Sequence, residues 1–245
     1  MRIPRIIRKK LNQLLKYFKL NSVNYPKFFN LPVRYISGHW HISPKIFELP
    51  FIHHFIDLDG KGKRVLEFGC AKSYVALQLA VLGYEVVGID LRKYILKHPN
   101  LTFHQTNLLN FEEEEKFDYI ISISVLEHIG LKAYKQARNE FALKEICKKL
   151  SKLLKLDGKL IVTVPFGKKY EDDFMRSFTY EEISSLFDQG DLKLIYEEYF
   201  FRDNSNNWIR CDLDKAKTIS NAKEDRISLG VNCNACFVWQ KISLS

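Results

Sequence analysis

The chain has 245 residues, 46% hydrophobic and 27% charged, enough for one well-cored α/β domain and too few for two. No apolar run reaches the roughly 18–20 residues of a bilayer span, and MRIPRIIRKKLNQLLKYFKL lacks the uninterrupted apolar stretch of a secretory signal, so a cytoplasmic protein is expected. Of the +9 net charge, seven (Arg2, Arg5, Arg8, Lys9, Lys10, Lys16 and Lys19) lie in residues 1–20 with no acid among them, and the body of the chain therefore lacks the broad basic face of a nucleic-acid partner.

Within residues 1–20, Ile3, Ile7, Leu11, Leu14 and Phe18 recur at helical spacing. A basic amphipathic helix of this kind lies on anionic lipid at the inner face of a membrane, or packs its stripe on the domain; the sequence leaves both open. Residues 21–58 are rich in aromatics and histidines and broken by Pro26, Pro32, Pro44 and Pro50, which predicts an irregular cap or lid. From there residues 59–245 alternate strand and helix. RVLEF is a strand, SYVALQLAVLG a helix, and 84–91, 101–105 and 117–124 are further strands. A helix over 131–155 leads through Asp157-Gly158 into the strand 159–165. Thr179-Tyr-Glu-Glu182 is a capping box opening another helix, and 192–201 and 235–242 are the last two strands, separated by a polar insertion at 203–233. The pattern predicts a Rossmann-like α/β fold: a mostly parallel seven-stranded sheet with helices on both faces.

Five cysteines are an odd number and argue against a disulfide framework. Cys233-Asn-Ala-Cys236 has no second compact pair, so it reads as two thiols in a late strand; no metal is expected.

The segment Val65-Leu-Glu-Phe-Gly-Cys-Ala-Lys-Ser73, followed by Asp90 at the end of the next strand, carries the chemistry. In a doubly wound sheet the carboxyl ends of adjacent strands face one crevice, which sets Asp90 to accept hydrogen bonds from two ribose hydroxyls. A dinucleotide needs several glycines for its pyrophosphate. Here Gly69 stands alone, followed by Cys70 and Ala71, and this favours S-adenosylmethionine, which has no phosphate.

Glu67-Phe-Gly-Cys-Ala, Val87-Gly-Ile-Asp90, Phe117-Asp-Tyr-Ile, Ser124-Val-Leu-Glu-His-Ile129 and Asp157-Gly-Lys-Leu-Ile occur in the order and spacing of class I S-adenosylmethionine-dependent methyltransferases, and over residues 60–200 the chain resembles that family. More narrowly, LEHIGLKAY (126–134), TVPFGKKY (163–170) and YFFRDNSNNW (199–208) resemble a bacterial and archaeal subgroup associated with surface-polysaccharide assembly; that resemblance alone implies a sugar acceptor. The family likeness implies that Glu67, Gly69 and Cys70 line the methionine portion, that Ala71 beside them also binds the cofactor, and that Asp90 binds ribose. It places Leu91 at the adenine, Asn107 with its amide oxygen near the adenine amino group, Ser124 and Val125 at the sulfonium, and Leu108 among the cofactor-binding residues. S-adenosylhomocysteine would be the product. Two departures are Ser73, in place of a glycine, and Asn107, in place of an aspartate; they raise the alternative of a catalytically silent scaffold.

An alcohol acceptor must lose its proton as it attacks, and His128, just past the fourth strand, is the candidate base. The competing reading makes Glu127-His128 part of the cofactor-site wall. His39, His41, Tyr134, Arg176 and Trp208 are weaker acceptor-site candidates, with packing roles as the alternative. Ubiquinone-pathway O-methyltransferases bind a metal through a second glutamate at the position of Ser124, which this chain lacks. Methylation of another small molecule, at nitrogen or a phosphate-type group, fits the cofactor half equally well.

Overall fold

The computed structural model describes residues 33–36, 39–188, 190–227 and 230–243; the predicted helix over residues 1–20 lies outside them. An antiparallel hairpin of β1 (Val33–Ile36) and β2 (His39–Ile42) leads into helix α1 (Lys45–Phe55). The prediction that residues 21–58 are irregular is corrected there. Pro50 lies inside α1 because burial of Glu48, Phe51 and Ile52 against the sheet outweighs the lost backbone hydrogen bond.

Strand β3 (Arg64–Phe68) is followed by helix α2 (Val75–Val81), β4 (Glu85–Asp90), β5 (Leu101–Gln105) and β6 (Phe117–Ile123). Then come helix α3 (Ala142–Leu153), β7 (Leu154–Pro165), the short pair β8 (Tyr170–Glu171) and β9 (Arg176–Ser177), and helix α4 (Tyr180–Phe187). Finally β10 (Leu192–Arg202) and β11 (Trp208–Cys211) precede helix α5 (Leu213–Lys217) and β12 (Cys233–Lys241). The capping box forms as predicted, with Thr179 accepting from the Glu182 amide and Glu182 from the Thr179 amide.

The main sheet runs β11-β10-β12-β7-β6-β3-β4-β5. Strands β5, β4, β3, β6 and β7 are parallel, while β12 is antiparallel to both β7 and β10. Seven strands are those predicted. The eighth, β11, arises in the supposed polar insertion, where Trp208–Cys211 pairs with Tyr199–Arg202 as a hairpin. Alternation along the strands divides the core. Leu66, Val87 and Ile120 face α3 and α4, whereas Val65, Val86 and Ile121 face α1 and α2. Cys233 and Cys236 fall in opposite layers, so they share no site.

The helix predicted over 131–155 starts only at Ala142. Gly130 has φ +78 and a Cβ there would meet the Asn139 carbonyl at 2.3 Å, while Tyr134 also takes a left-handed conformation at φ 54. Residues 129–141 therefore fold into a loop, closed by Asn139 N–H donating to the Gly130 carbonyl at 3.0 Å. Among the described residues no helix is long and apolar enough to cross a membrane.

Candidate active site

The chain moves from β3 outward to β5 and then returns to β6 on the other side of β3, which opens a crevice at the carboxyl ends of these strands. A cavity of about 870 Å³ lies there. Glu67, Gly69, Asp90, Leu91, Asn107, Leu108, Ser124, Val125, His128 and Tyr134, all predicted, line it.

Gly69 turns the chain at φ +86 and donates its N–H to the Ile89 carbonyl at 2.7 Å. A Cβ at Gly69 would lie 2.2 Å from Val125 Cγ2, so the close approach of the two loops requires glycine. Ser73, in contrast, sits in extended conformation at φ −105 and needs no glycine; its Oγ accepts from Val75 N–H at 3.0 Å. Cys70 corrects the expectation for the methionine portion. Its Sγ packs in the core against Gly88, where an added Cβ would meet it at 2.9 Å, and it is not among the lining residues. Ala71 likewise acts behind the surface, donating its N–H to Asp90 Oδ2 at 2.9 Å.

Asp90 is buried and its oxygens are engaged. Besides Ala71, it accepts from Arg92 N–H at 2.8 Å, Nε at 3.0 Å and Nη2 at 2.9 Å. The Arg92 guanidinium also lies 4.5 Å from the centre of the Tyr134 ring. A ribose seated on Asp90 must displace this side chain. Asn107 Oδ1 caps a short turn by accepting from Leu109 N–H at 3.0 Å, so the oxygen predicted for the adenine amino group already has a partner.

Burial raises the carboxyl pKa of Glu67 to about 7, against the Ser73 and Ala76 hydrogen bonds, the latter at 2.7 Å. Glu127 is pushed up to about 8 by burial, and among the described residues its Oε2 has no hydrogen-bond partner. His128 Nδ1 lies 2.7 Å from the Phe174 carbonyl, which can only accept, so Nδ1 carries the proton and Nε2 presents its lone pair. Burial lowers the imidazole pKa below 6.5, leaving the ring neutral at pH 7. Nε2 stands 3.9 Å from Glu127 Oε1, and Tyr134 and Phe174 pack on the ring with centroids at 5.3 and 4.6 Å.

Because Glu127 titrates near 8 when folded and near 4.5 when unfolded, the native state binds the extra proton between those values, and stability falls as pH rises through that window. Glu127→Gln is expected to raise the melting temperature by roughly 2–8 °C at pH 8.5 and by much less at pH 4.5, as scanning calorimetry would show.

Of the remaining acceptor candidates, Arg176 and Trp208 are not among the residues that line the cavity. Arg176 donates Nη2 to the Ile129 carbonyl at 3.0 Å and pairs with Glu171, behind the cavity wall. Trp208 Nε1 donates to the Ile42 carbonyl at 3.0 Å, and its ring meets Phe47 and the Arg202 guanidinium, so it fastens the N-terminal hairpin. His39 and His41 lie in β2, opposite Ile36 and Arg34 in the backbone register.

The structure adds Lys45, Glu48, Arg92 and Phe174. Glu48 is fully buried and joins α1 to three strand ends: its Oε1 accepts from Ser124 Oγ at 2.8 Å, Thr163 Oγ1 at 2.7 Å and Asn234 Nδ2 at 3.2 Å, and Oε2 from Lys45 Nζ at 2.7 Å. Only the Lys-x-x-Glu spacing on one helix face signalled this pair. Glu48→Ala strands four donors and is expected to cost about 3–5 kcal/mol, lowering the melting temperature by roughly 6–20 °C.

This fold and crevice define a class I methyltransferase architecture. A family model described as a methyltransferase domain matches residues 41–204, and the chain belongs to that family. The ubiquinone biosynthesis O-methyltransferase of Glaesserella parasuis serovar 5 (strain SH0165) is 31% identical over 117 residues, covering 42% of this chain and 45% of the relative, less than half its length. Among solved structures, the 1,6-didemethyltoxoflavin-N1-methyltransferase of Burkholderia thailandensis, with 1,6-didemethyltoxoflavin and S-adenosylhomocysteine bound, superposes with TM-score 0.56 at 12% identity over 99% of this chain and 92% of that one. The (4+2)-cyclase SpnF gives 0.55 at 12% over 95% and 94%, so at this distance likeness speaks for the fold alone. The chain is thus a member of the methyltransferase-domain family, and S-adenosylmethionine is the cofactor against which its crevice is to be compared. The residues present fit the cofactor: a turn only glycine can make, an acid at the tip of the adjoining strand, and Leu91 and Leu108 as an apolar seat.

Proposed function

We propose that the chain O-methylates a hydroxyl of a sugar, free, nucleotide-linked or lipid-linked, in surface glycan assembly. His128 carries this reading: a neutral imidazole with Nε2 open, beside the rings of Tyr134 and Phe174 in the same cavity, suits an acceptor that presents a hydroxyl and an apolar C–H face. S-adenosylmethionine supplies an electrophilic methyl; the protein's part is to hold the acceptor oxygen in line with it, take its proton and keep water out. The stretch 126–134 of the subgroup likeness contributes to the cavity lining. The stretch 199–208 packs against the N-terminal hairpin and helix, through Phe200 on Phe47 and Trp208 on Ile42.

In this reading residues 59–245 hold the chemistry, 21–58 cap it, and the basic arm 1–20 sets the enzyme against anionic lipid at the inner face of a membrane. Methylation of an amine is the second reading, favoured by Glu127, whose Oε2 has no hydrogen-bond partner among the described residues and would accept from an amine N–H. Incubation with tritium-methyl S-adenosylmethionine and parallel panels of nucleotide sugars, lipid-linked sugars and small amines tests the choice. Label in a sugar ether supports the proposal; label confined to amines overturns it.

A further inference from the structure

Among the described residues, two basic side chains besides His128 line the cavity, Arg92 and Lys45. Arg92 is held on Asp90 through both Nε and Nη2, at the end of β4 where ribose is expected. Lys45 stands on the first turn of α1, and its charge acts on Glu67 and Glu127. Its side chain is 14% exposed and its ammonium, with three donors, has a single hydrogen-bonded partner among the described residues, Glu48 Oε2 at 2.7 Å. That partner is itself immobilised by Ser124, Thr163 and Asn234, so the ammonium sits on a rigid mount beside the segment that follows β6.

The cofactor has one anionic group, the α-carboxylate, tethered to sulfur by a short aliphatic arm. With ribose on Asp90 and the thioether passing Gly69, that arm would run along Glu67 and Ser73, which line the cavity together with Lys45, whose charge acts on Glu67. An acceptor must attack from the far side of the methyl, opposite the sulfur; His128 and Phe174, packed on each other, line the same cavity. We propose that Lys45 is the counter-ion of the cofactor's α-carboxylate, so that the helix Lys45–Phe55 forms the amino-acid end of a cofactor site otherwise built from residues 66–126. This inference rests on the methyltransferase reading of the cavity. Glu48 acts as a positioning residue, holding Lys45 through one hydrogen bond and the end of β6 through another.

Calorimetric titration of the full chain with S-adenosylhomocysteine and with 5′-methylthioadenosine, which keeps the adenosine and thioether but lacks the amino acid, tests it. Lys45→Met is expected to weaken S-adenosylhomocysteine by roughly 10–150-fold, the range of a hydrogen bond to a charged group, and to leave methylthioadenosine within about twofold. Lys45→Arg is expected to keep most of the affinity. Retained methylthioadenosine binding also shows that the variant is folded. Equal losses for both ligands, or no loss for either, overturn the assignment without overturning the cofactor reading of the cavity, which rests on binding by the wild type. Failure of the wild type to bind S-adenosylhomocysteine overturns the cofactor reading and this inference with it.

Discussion

Replacing Asp90 with Ala is expected to weaken S-adenosylhomocysteine binding by about 100-fold. Two ribose hydroxyls donating to one buried carboxylate contribute about 1.5 kcal/mol each at the low end for charged acceptors, and two such bonds amount to about two decades in Kd. The geometry adds an opposing effect, because Arg92 already occupies both Asp90 oxygens and must leave. Arg92→Ala removes that competitor and should therefore retain or improve the affinity that Asp90→Ala loses. Calorimetry on the two variants separates ribose recognition from general damage to the turn, and a loss under about threefold in Asp90→Ala would contradict the assignment.

His128→Ala is expected to lower kcat by roughly 10²–10⁴ while leaving S-adenosylhomocysteine affinity unchanged, the signature of a group acting on the acceptor proton. The pH profile carries a second test. Burial lowers the His128 pKa, so the neutral, competent form is already populated below pH 6.5. The wild-type rate should rise with pH through a value below 6.5 and level off above it, and this limb should vanish in the variant. An unchanged rate would return His128 to the wall of the site.

The alternation of apolar strands with helices and the single-glycine turn were legible because they are local: β3, the turn at Gly69 and β4 lie within one stretch, and their convergence follows from topology. Cys70 was misplaced because adjacency in a turn says nothing about which side of the sheet a side chain enters; Gly88 leaves room for its sulfur in the core. The start of α3 was missed because the sequence 131–141 is compatible with a helix, and only the contact of Gly130 with Asn139 keeps it a loop. Lys45 and Glu48 escaped notice for a different reason. Their partners Ser124, Thr163 and Asn234 lie far along the chain, and four prolines nearby masked a helix that tertiary packing stabilises.

Solving the structure with S-adenosylhomocysteine bound tests the central claim most directly. Both ribose hydroxyls should lie on the Asp90 carboxylate with Arg92 turned away, adenine between Leu91 and Leu108, and the sulfur beside Ser124. Adenosine bound elsewhere, or an Asp90–Arg92 pair unchanged beneath the ligand, would contradict it.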